Sequence, residues 1–157
     1  MGVRGPAGRG RPVTGDQDPL RLAVLVVDTS AVVGALVAHP PNQALVDRLR
    51  ADGDLHAPHL LDVEVLHALR RLVLGGQLTE DRAVDVRADF ADLTVVRYGH
   101  APLADRTWEL RNNLTAYDAT FVALAEALHV PLVTCDARLA GAPGNVAVVE
   151  LYEGTTS

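Results

Sequence analysis

The stretch LAVLVVDTS at residues 22–30 decides the fold of this chain. It begins with six apolar residues, 22–27, a run typical of a strand that is buried on both faces of a parallel sheet. Three polar residues, Asp28, Thr29 and Ser30, follow at once. Ligands of open parallel sheets bind beyond the carboxyl ends of the strands, so Asp28 is the first candidate functional residue.

Strand-length apolar runs and helical patterns alternate through the rest of the chain. We predict helices at 30–37, 42–51, 59–74, 79–92, 102–111 and 116–129, and further strands at 94–97, 131–135 and 146–151. The glycine pair Gly75-Gly76 is a stop signal for the third of these helices. This alternation predicts an α/β domain with a mainly parallel sheet and right-handed crossovers.

The first 20 residues contain five Gly and three Pro without apolar periodicity, so we expect 1–20 to be a flexible leader and 21–157 to form one domain. The apolar run 22–27 is short for a secretory signal. A membrane span over 22–38 would place Asp28 in the bilayer at a cost of about 2.5–3.5 kcal/mol. We therefore expect a cytoplasmic protein without a membrane anchor.

Composition excludes several classes of function. The net charge of −6 argues against a protein that coats nucleic acid through an overall basic surface. A local phosphate-contacting rim remains open alongside ordinary solvated helix faces, with arginines at 48, 50, 70, 71, 82 and 87. The single cysteine, Cys135, excludes an internal disulfide, and the absence of lysine excludes phosphate loops of the GK[ST] type and Schiff-base chemistry.

A second aspartate, Asp136, directly follows the predicted strand at 131–135, just as Asp28 follows the first strand. Either residue alone is explained by a turn or a helix cap, because Asp is favoured at both. The repetition of the same arrangement in one chain favours a functional role.

Two further acids lie on predicted helices. At about 100° per residue, Glu64 falls at the edge of the apolar stripe of helix 59–74, where a solvated residue and a functional carboxylate are equally reasonable. Asp118 falls within the apolar stripe of helix 116–129. The run 115–118 also fits a capping box, which explains the acid but not its inward position.

Four acids at two strand ends and on two helices can converge on one pocket, although spacing alone does not show that they do. Clustered carboxylates raise one another's pKa values and favour a bound cation. Their hard oxygens suit Mg²⁺ or Mn²⁺, which activate water and neutralise charge on a phosphodiester. The predicted catalytic and metal-binding set is Asp28, Glu64, Asp118 and Asp136.

Four segments resemble the motifs of PIN-domain ribonucleases, especially the VapC-type toxins of bacterial toxin–antitoxin pairs. They are VDTSA at 27–31, EVLHALRR at 64–71, RNNLTAYDA at 111–119 and LVTCDARL at 132–139. The resemblance covers about residues 22–151, with the motifs in the family's order. It implies a three-layer α/β/α fold and Mg²⁺- or Mn²⁺-dependent endonucleolytic cleavage of RNA.

The resemblance also implies roles for particular residues. Asp28 and Asp118 would be the principal metal ligands, and Glu64 and Asp136 would complete the acidic pocket and orient the attacking water. Hydroxyl groups would hydrogen-bond a ligand, a carboxylate or a phosphate, unless they only cap helices; they belong to Thr29, Ser30 and Thr134. Arg111 would contact RNA phosphate or an acidic group of an antitoxin, or else form a surface ion pair.

The same resemblance implies a homodimer and a cognate VapB-type antitoxin as partners. The implied substrate is RNA, with a loop of transfer or ribosomal RNA as the suggested target. Single-stranded or looped RNA is also the physically sensible class, because an A-form helix hides its base edges.

Three alternatives remain open from the sequence. A PIN-like binding module would have the fold without catalysis. A haloacid-dehalogenase-like phosphatase would also start with an Asp after its first strand, but here Ser30 stands where its second Asp belongs and the late lysine is missing. A zinc site would draw on His56, His59, Glu64 and His67, without an HExxH motif to support it.

Overall fold

The structure, a computed structural model, describes residues 24–51 and 54–154. The leader predicted at 1–20 lies outside these ranges. In the described residues, five strands and seven α-helices alternate, with one additional 3₁₀ turn. The strands are β1 (Leu25–Val27), β2 (Leu55–Pro58), β3 (Val95–Tyr98), β4 (Leu132–Thr134) and β5 (Val149–Leu151). The helices are α1 (Thr29–Val37), α2 (Gln43–Arg50), α3 (Leu60–Leu74), α4 (Glu80–Asp92), α5 (Ala104–Glu109), α6 (Ala116–Leu128) and α7 (Ala137–Ala140), and the 3₁₀ turn is Ala101–Leu103.

The strands form a single parallel sheet in the order β3-β2-β1-β4-β5. The central strand β1 places Val26 between His56 of β2 and Leu132 of β4. From β1 the chain builds outward through β2 to β3, and then returns to add β4 and β5 on the other side. This reversal opens a crevice at the carboxyl ends of β1 and β4, the usual place for a ligand site in such sheets.

Two groups of helices flank the sheet. Helices α1, α3 and α4 pack on one another, while α5 packs on α6 and α6 contacts β1, β2 and β4. Seven consecutive residues of α6, 119–125, are buried, so this helix is enclosed nearly all round. The result is the three-layer α/β/α fold with a parallel sheet that the sequence predicts.

The core confirms that the apolar run before Asp28 contains a strand buried on both faces. All three residues of β1 are at most 1% exposed, as expected for a strand covered on both faces. Helix α3 ends at Leu74, with Gly75 as its C-terminal cap and Gly76 in the left-handed region at φ 71°. The glycine pair therefore acts as the predicted stop, because only a residue without Cβ adopts that φ without strain.

Several element predictions were incomplete. Strand β2 was missed because it reads LHAP, in which His56 breaks the apolar run and Pro58 closes it. The one-turn helix α7 was also missed. The predicted helix at 102–111 is a 3₁₀ turn followed by α5, and the strand predicted at 146–151 is paired only at Val149–Leu151. No helix within residues 24–51 and 54–154 is both long and apolar enough to cross a membrane.

Candidate active site

A cavity of about 640 Å³ lies at the carboxyl ends of β1 and β4. The four acids predicted from the sequence, Asp28, Glu64, Asp118 and Asp136, all line it. Thr29 and Ser30 line it as well, and much of the remaining lining is apolar, from Val33, Val37, Ala68, Leu72 and Phe121. The fold therefore brings together four acids that are separated by up to 108 positions in the sequence.

Asp28 is the most buried of the four acids, with only 5% of its surface exposed. It directly follows β1 and caps α1, where its Oδ1 accepts a hydrogen bond from the backbone N–H of Ala31 at 2.9 Å. Its carboxylate also accepts from the hydroxyl groups of Ser30, at 2.8 Å, and Thr134, at 2.7 Å. The capping interpretation of Asp28 is thus correct, and it coexists with a place in the cavity.

The two hydroxyl groups tie the end of β1 to the end of β4. The Ser30 Oγ accepts from the backbone N–H of Cys135 at 2.9 Å, and the Thr134 Oγ1 accepts from that of Asp136 at 2.9 Å. A hydroxyl has one proton, and each of these donates its proton to Asp28. The two backbone amides that follow β4 and the carboxylate that follows β1 are therefore held in one hydrogen-bonded network.

Burial raises the pKa of Asp28 from 3.8 to about 6. The hydrogen bonds from Thr134, Ala31 and Ser30 act in the opposite direction, and the nearby charge of Asp136 raises the pKa further. None of the three donors carries a positive charge. The site therefore holds a desolvated carboxylate that a cation would stabilise.

Glu64 extends from α3 toward the same cavity and accepts a 2.5 Å hydrogen bond from the Thr29 hydroxyl. Partial burial raises the pKa of Glu64, the hydrogen bond from Thr29 lowers it, and the charge of Asp118 raises it again. Its helix is anchored by the buried residues Leu61, Val65 and Leu69. Glu64 thus lies at the margin of the core, as the helical spacing predicts.

Asp118 lies in the first turn of α6, half-buried at the cavity wall. Thr115 caps this helix: its Oγ1 accepts from the backbone N–H of Asp118 at 3.2 Å, and its hydroxyl donates to Asp118 Oδ2 at 3.0 Å. Asp118 therefore takes part in the helix cap and also lines the cavity, because the first turn of α6 reaches the crevice.

Asp136 caps the short helix α7 and forms an ion pair with Arg138. The hydrogen bonds from Arg138 lower the pKa of the Asp136 carboxyl. The hydrogen bonds and the charge of Asp136 in turn raise the pKa of Arg138, and the charge of Asp118 adds to this effect.

The donor set fits a hard divalent cation, because it consists of carboxylate oxygens supported by hydroxyl groups. Within residues 24–51 and 54–154, no three His, Cys, Asp or Glu side chains are grouped closely enough in this structure to hold a metal ion by themselves. A Mg²⁺ ion here would complete its shell with water or substrate oxygens, as this ion ordinarily does.

The structure does not support the alternative zinc site. All four of its candidate ligands lie in the described residues, and they form no group there that could hold a metal ion. His56 instead lies on β2, with its Nδ1 2.7 Å from the hydroxyl of Tyr98 on β3.

Arg111 lies outside the set of residues that line the cavity. Its guanidinium stacks over the ring of Trp108 at 4.8 Å and donates to the Trp108 carbonyl at 3.0 Å. Trp108 itself is 68% exposed. Of the arginines considered for a phosphate-contacting rim, Arg48 is paired with Glu150 and Arg82 donates to the carbonyl of Leu36.

Comparison with known proteins identifies the family to which this fold and cavity belong. The family model for the PIN domain matches residues 25–145. The chain belongs to the PIN-domain family. It is 48% identical over 120 residues to ribonuclease VapC1 of Mycobacterium tuberculosis, which covers 76% of this chain and 90% of that protein. It is 39% identical over 128 residues to ribonuclease VapC12 of the same organism, covering 82% of this chain and 98% of the relative.

A solved structure shows the same PIN fold at lower identity. The VapBC2 structure from Rickettsia felis, bound to a DNA fragment from its promoter, superposes with a TM-score of 0.61 at 14% identity. The match covers 83% of this chain and 99% of the other. This match shows the shared fold, and the two relatives named ribonuclease VapC identify the chain as a PIN-domain protein of the VapC type.

The ion pair of Arg138 with Asp136 was not predicted from the sequence. A basic residue two positions after a helix-capping Asp can nevertheless reach back to that acid. The spacing of Asp136 and Arg138 was the available signal. Trp108 was overlooked for a different reason, because no periodicity marks a single exposed tryptophan.

The Thr29–Glu64 hydrogen bond is testable by substitution. Thr29→Val removes the hydroxyl with little change in shape, so the pKa of Glu64 is expected to rise further above its ordinary value. Carboxyl NMR titration of the metal-free protein measures this directly. Thr107→Val, outside the cavity lining, is the matched control and leaves Glu64 unchanged. An unaltered Glu64 titration in Thr29→Val would show that this bond has no influence on the acid.

Proposed function

We propose that this PIN-domain protein is the toxin of a VapBC-type pair and acts in the cytoplasm as a Mg²⁺- or Mn²⁺-dependent endoribonuclease. One observation carries the proposal: four acids from four motifs line a single cavity at the reversal point of the sheet. The identity to proteins named ribonuclease VapC supports RNA as the substrate.

Asp28 and Asp118 are the proposed principal ligands of the cation. Asp28 has the rigid position that a ligand needs, because its oxygens are oriented by donors from both α1 and β4. Asp118 is fixed by the cap of α6. A bound Mg²⁺ or Mn²⁺ supplies a water of lowered pKa and neutralises charge on the phosphodiester.

Glu64 is the proposed acceptor of a proton from the attacking water. Its raised pKa brings it closer to the range in which a carboxylate acts as a general base, and the Thr29 hydroxyl fixes the orientation of one of its oxygens. The proton would leave the water for a Glu64 oxygen as the water oxygen forms a bond to phosphorus, the bond from phosphorus to one ribose oxygen would break, and that ribose oxygen would leave with a proton from solvent water. Asp136, the residue that caps α7, completes the proposed acidic pocket.

The proposed substrate is single-stranded or looped RNA, with a loop of transfer or ribosomal RNA as the target suggested by resemblance. An open cavity admits a strand whose phosphates are accessible, whereas a continuous A-form duplex presents a stiff surface. Arg111 stacked on the exposed Trp108 offers a positive charge beside an aromatic ring, a combination that suits RNA. Ser30 and Thr134 contribute through Asp28, to which their protons are donated.

A VapB-type antitoxin is the proposed protein partner, and a homodimer the proposed assembly. The similarity to the VapBC2 structure supports the antitoxin, since that protein was solved with its VapB partner. Size-exclusion chromatography with light scattering, on the toxin alone and with a co-expressed antitoxin, tests both assemblies.

Removal of divalent metal is expected to abolish RNA cleavage completely, because the four acids then have no cation to hold water and phosphate. Purified antitoxin-free protein would be assayed on a single-stranded RNA with Mg²⁺, with Mn²⁺ and with excess chelator. Cleavage is expected to return when metal is added back above the chelator concentration. Cutting that persists at full rate in chelator would exclude a metal-dependent nuclease, and a metal-binding but inactive protein would instead indicate a non-catalytic module.

A further inference from the structure

Both oxygens of the Asp136 carboxylate accept hydrogen bonds from a single residue, Arg138. The Arg138 Nη2 donates to Oδ2 at 2.6 Å, and the Nε contacts Oδ1 at 3.1 Å and Oδ2 at 3.2 Å. The Arg138 backbone N–H donates to Oδ1 at 2.9 Å as part of the α7 cap. Three N–H donors of one residue therefore bond both carboxylate oxygens, and the positive charge of the guanidinium opposes a cation at Asp136 while it stays in place.

The ion pair between Asp136 and Arg138 involves a charged donor, unlike the hydrogen bonds to Asp28. Asp28 is bonded by neutral donors, which leave its charge in place. Arg138 neutralises Asp136 with a full positive charge, at a point where a cation would otherwise be attracted. Within one cavity, one acid is therefore open to metal and another is covered by a built-in counter-ion.

The same pair is easily broken on the arginine side. The Arg138 side chain is 81% exposed, whereas that of Asp136 is 23% exposed. Solvent-exposed ion pairs contribute little stability, so the guanidinium exchanges readily with water. The backbone bond from Arg138 belongs to the helix cap and survives when the side chain swings away.

We propose that Arg138 competes with the divalent cation for Asp136 and, once displaced, contacts a phosphate oxygen of the bound RNA. The proposal rests on the metal-dependent nuclease function above. A guanidinium matches the paired oxygens of phosphate as it matches those of a carboxylate, so the displaced group has a chemically equivalent partner. Arg138 is thus a positioning residue for Asp136 in the free protein and an RNA contact in the loaded one.

A double-mutant cycle on Mn²⁺ binding tests the competition. The dissociation constant would be measured from the loss of the free Mn²⁺ EPR signal for the parent, Arg138→Gln, Asp136→Asn and the double variant. Arg138→Gln is expected to tighten Mn²⁺ binding about tenfold, because it removes both one positive charge beside the acids and the competition for Asp136. In the Asp136→Asn background, Arg138→Gln is expected to change the Mn²⁺ dissociation constant about twofold or less. The arginine then no longer competes for a carboxylate at position 136, and only the long-range repulsion by its charge is removed.

Arg48→Gln is the matched control, because Arg48 also forms a two-bond ion pair, with Glu150, and neither residue lines the cavity. It is expected to leave the Mn²⁺ dissociation constant unchanged. Equal tightening by Arg138→Gln in both Asp136 backgrounds, or none in either, overturns the competition. Absence of Mn²⁺ binding by the parent protein would instead contradict the proposed function itself, so the two failures are distinguishable.

The RNA contact has a separate readout. With metal saturating, Arg138→Gln is expected to raise KM for a single-stranded RNA about fivefold and to reduce the slope of log KM against log salt by about 0.7, the value for one lost phosphate contact. Arg138→Lys, which keeps the charge, is expected to restore the slope. An unchanged KM and slope in Arg138→Gln would overturn the second half of the proposal.

Discussion

Asp28→Asn is expected to stabilise the metal-free protein at pH 8 while reducing RNA cleavage by at least about a hundredfold. The loss of activity follows from the removal of a proposed metal ligand, since even the outer partners of metal ligands are worth about 10–100-fold. The gain in stability follows from burial: raising the pKa from 3.8 to about 6 corresponds to a penalty of about 3 kcal/mol for keeping the buried carboxylate charged. Removing the charge is expected to recover about 1–3 kcal/mol.

The direction of the pH dependence is fixed by the same shift. A folded pKa above the unfolded one favours the folded state when the acid is protonated, so this contribution is complete below about 4 and lost as the pH rises through about 6. The stability advantage of Asp28→Asn is therefore expected at pH 8 and shrinks as the pH falls from 6 to 4. Metal binding needs the ionised acid, so cleavage by the parent protein is expected to fall below about pH 6.

The hydrogen-bond network can accommodate the amide. The Nδ2 of the new Asn donates to Thr134 Oγ1, and the Thr134 proton is then free for Ser30 Oγ, which lies 3.2 Å away. Ser30 continues to donate to Oδ1. The substitution therefore removes the charge and pairs one of the two Nδ2 protons, while the second has no acceptor within this network and reduces the expected gain in stability.

Urea unfolding with chelator present, at pH 8 and pH 5, measures this prediction alongside RNA cleavage. Asp85→Asn, on the exposed face of α4, is the matched control and is expected to change neither quantity measurably. A destabilised Asp28→Asn at pH 8 would show that burial of this carboxylate does not oppose folding. Retained cleavage would show that Asp28 is not a ligand.

Thr134→Val is expected to destabilise the protein by about 2–3 kcal/mol at pH 8. Thr134 is fully buried, and valine has nearly its shape, so the change removes only the hydroxyl. That hydroxyl donates to the Asp28 carboxylate and accepts from the Asp136 backbone N–H, and a hydrogen bond to a buried charge is worth about 1.5–3 kcal/mol. The pKa of Asp28 is expected to rise above about 6 as this donor is lost, which would move the acidic limit of cleavage to higher pH.

The destabilisation by Thr134→Val is expected to be smaller at pH 5 than at pH 8, because a hydrogen bond to a neutral acid is weaker than one to a carboxylate. Thr120→Val is the matched control: Thr120 is also buried, but its hydroxyl donates to the carbonyl of Ala116 within α6. Equal effects of the two substitutions at both pH values would contradict a special role for the Thr134 hydroxyl.

The sequence predicts the parts of this molecule that depend on local pattern. The buried strand β1 shows as an unbroken apolar run, and the position of Asp28 after it shows as a change from apolar to polar. The edge position of Glu64 follows from the helical angle alone. In each case a short segment of the sequence is sufficient to predict the position of the residue or strand.

The remainder depends on contacts between distant segments. The joint network of Ser30, Thr134 and Asp28 forms only when β1 and β4 pair, across 104 to 106 positions in the sequence. Strand β2, which reads LHAP, lacks an apolar run, and it is recognisable as a strand only from its pairing with β1 and β3. The convergence of the four acids likewise required the strand order, since no spacing rule states that the chain reverses between β3 and β4.

The most direct test of the account is RNA cleavage and Mn²⁺ binding by the antitoxin-free protein, measured together for the parent, Asp118→Asn and the control Asp85→Asn. We expect Mn²⁺-dependent cleavage by the parent and Asp85→Asn. We expect Asp118→Asn, folded by circular dichroism, to lose both cleavage and tight Mn²⁺ binding. Equal cleavage by all three proteins would contradict the assignment of these acids to one metal-dependent nuclease site.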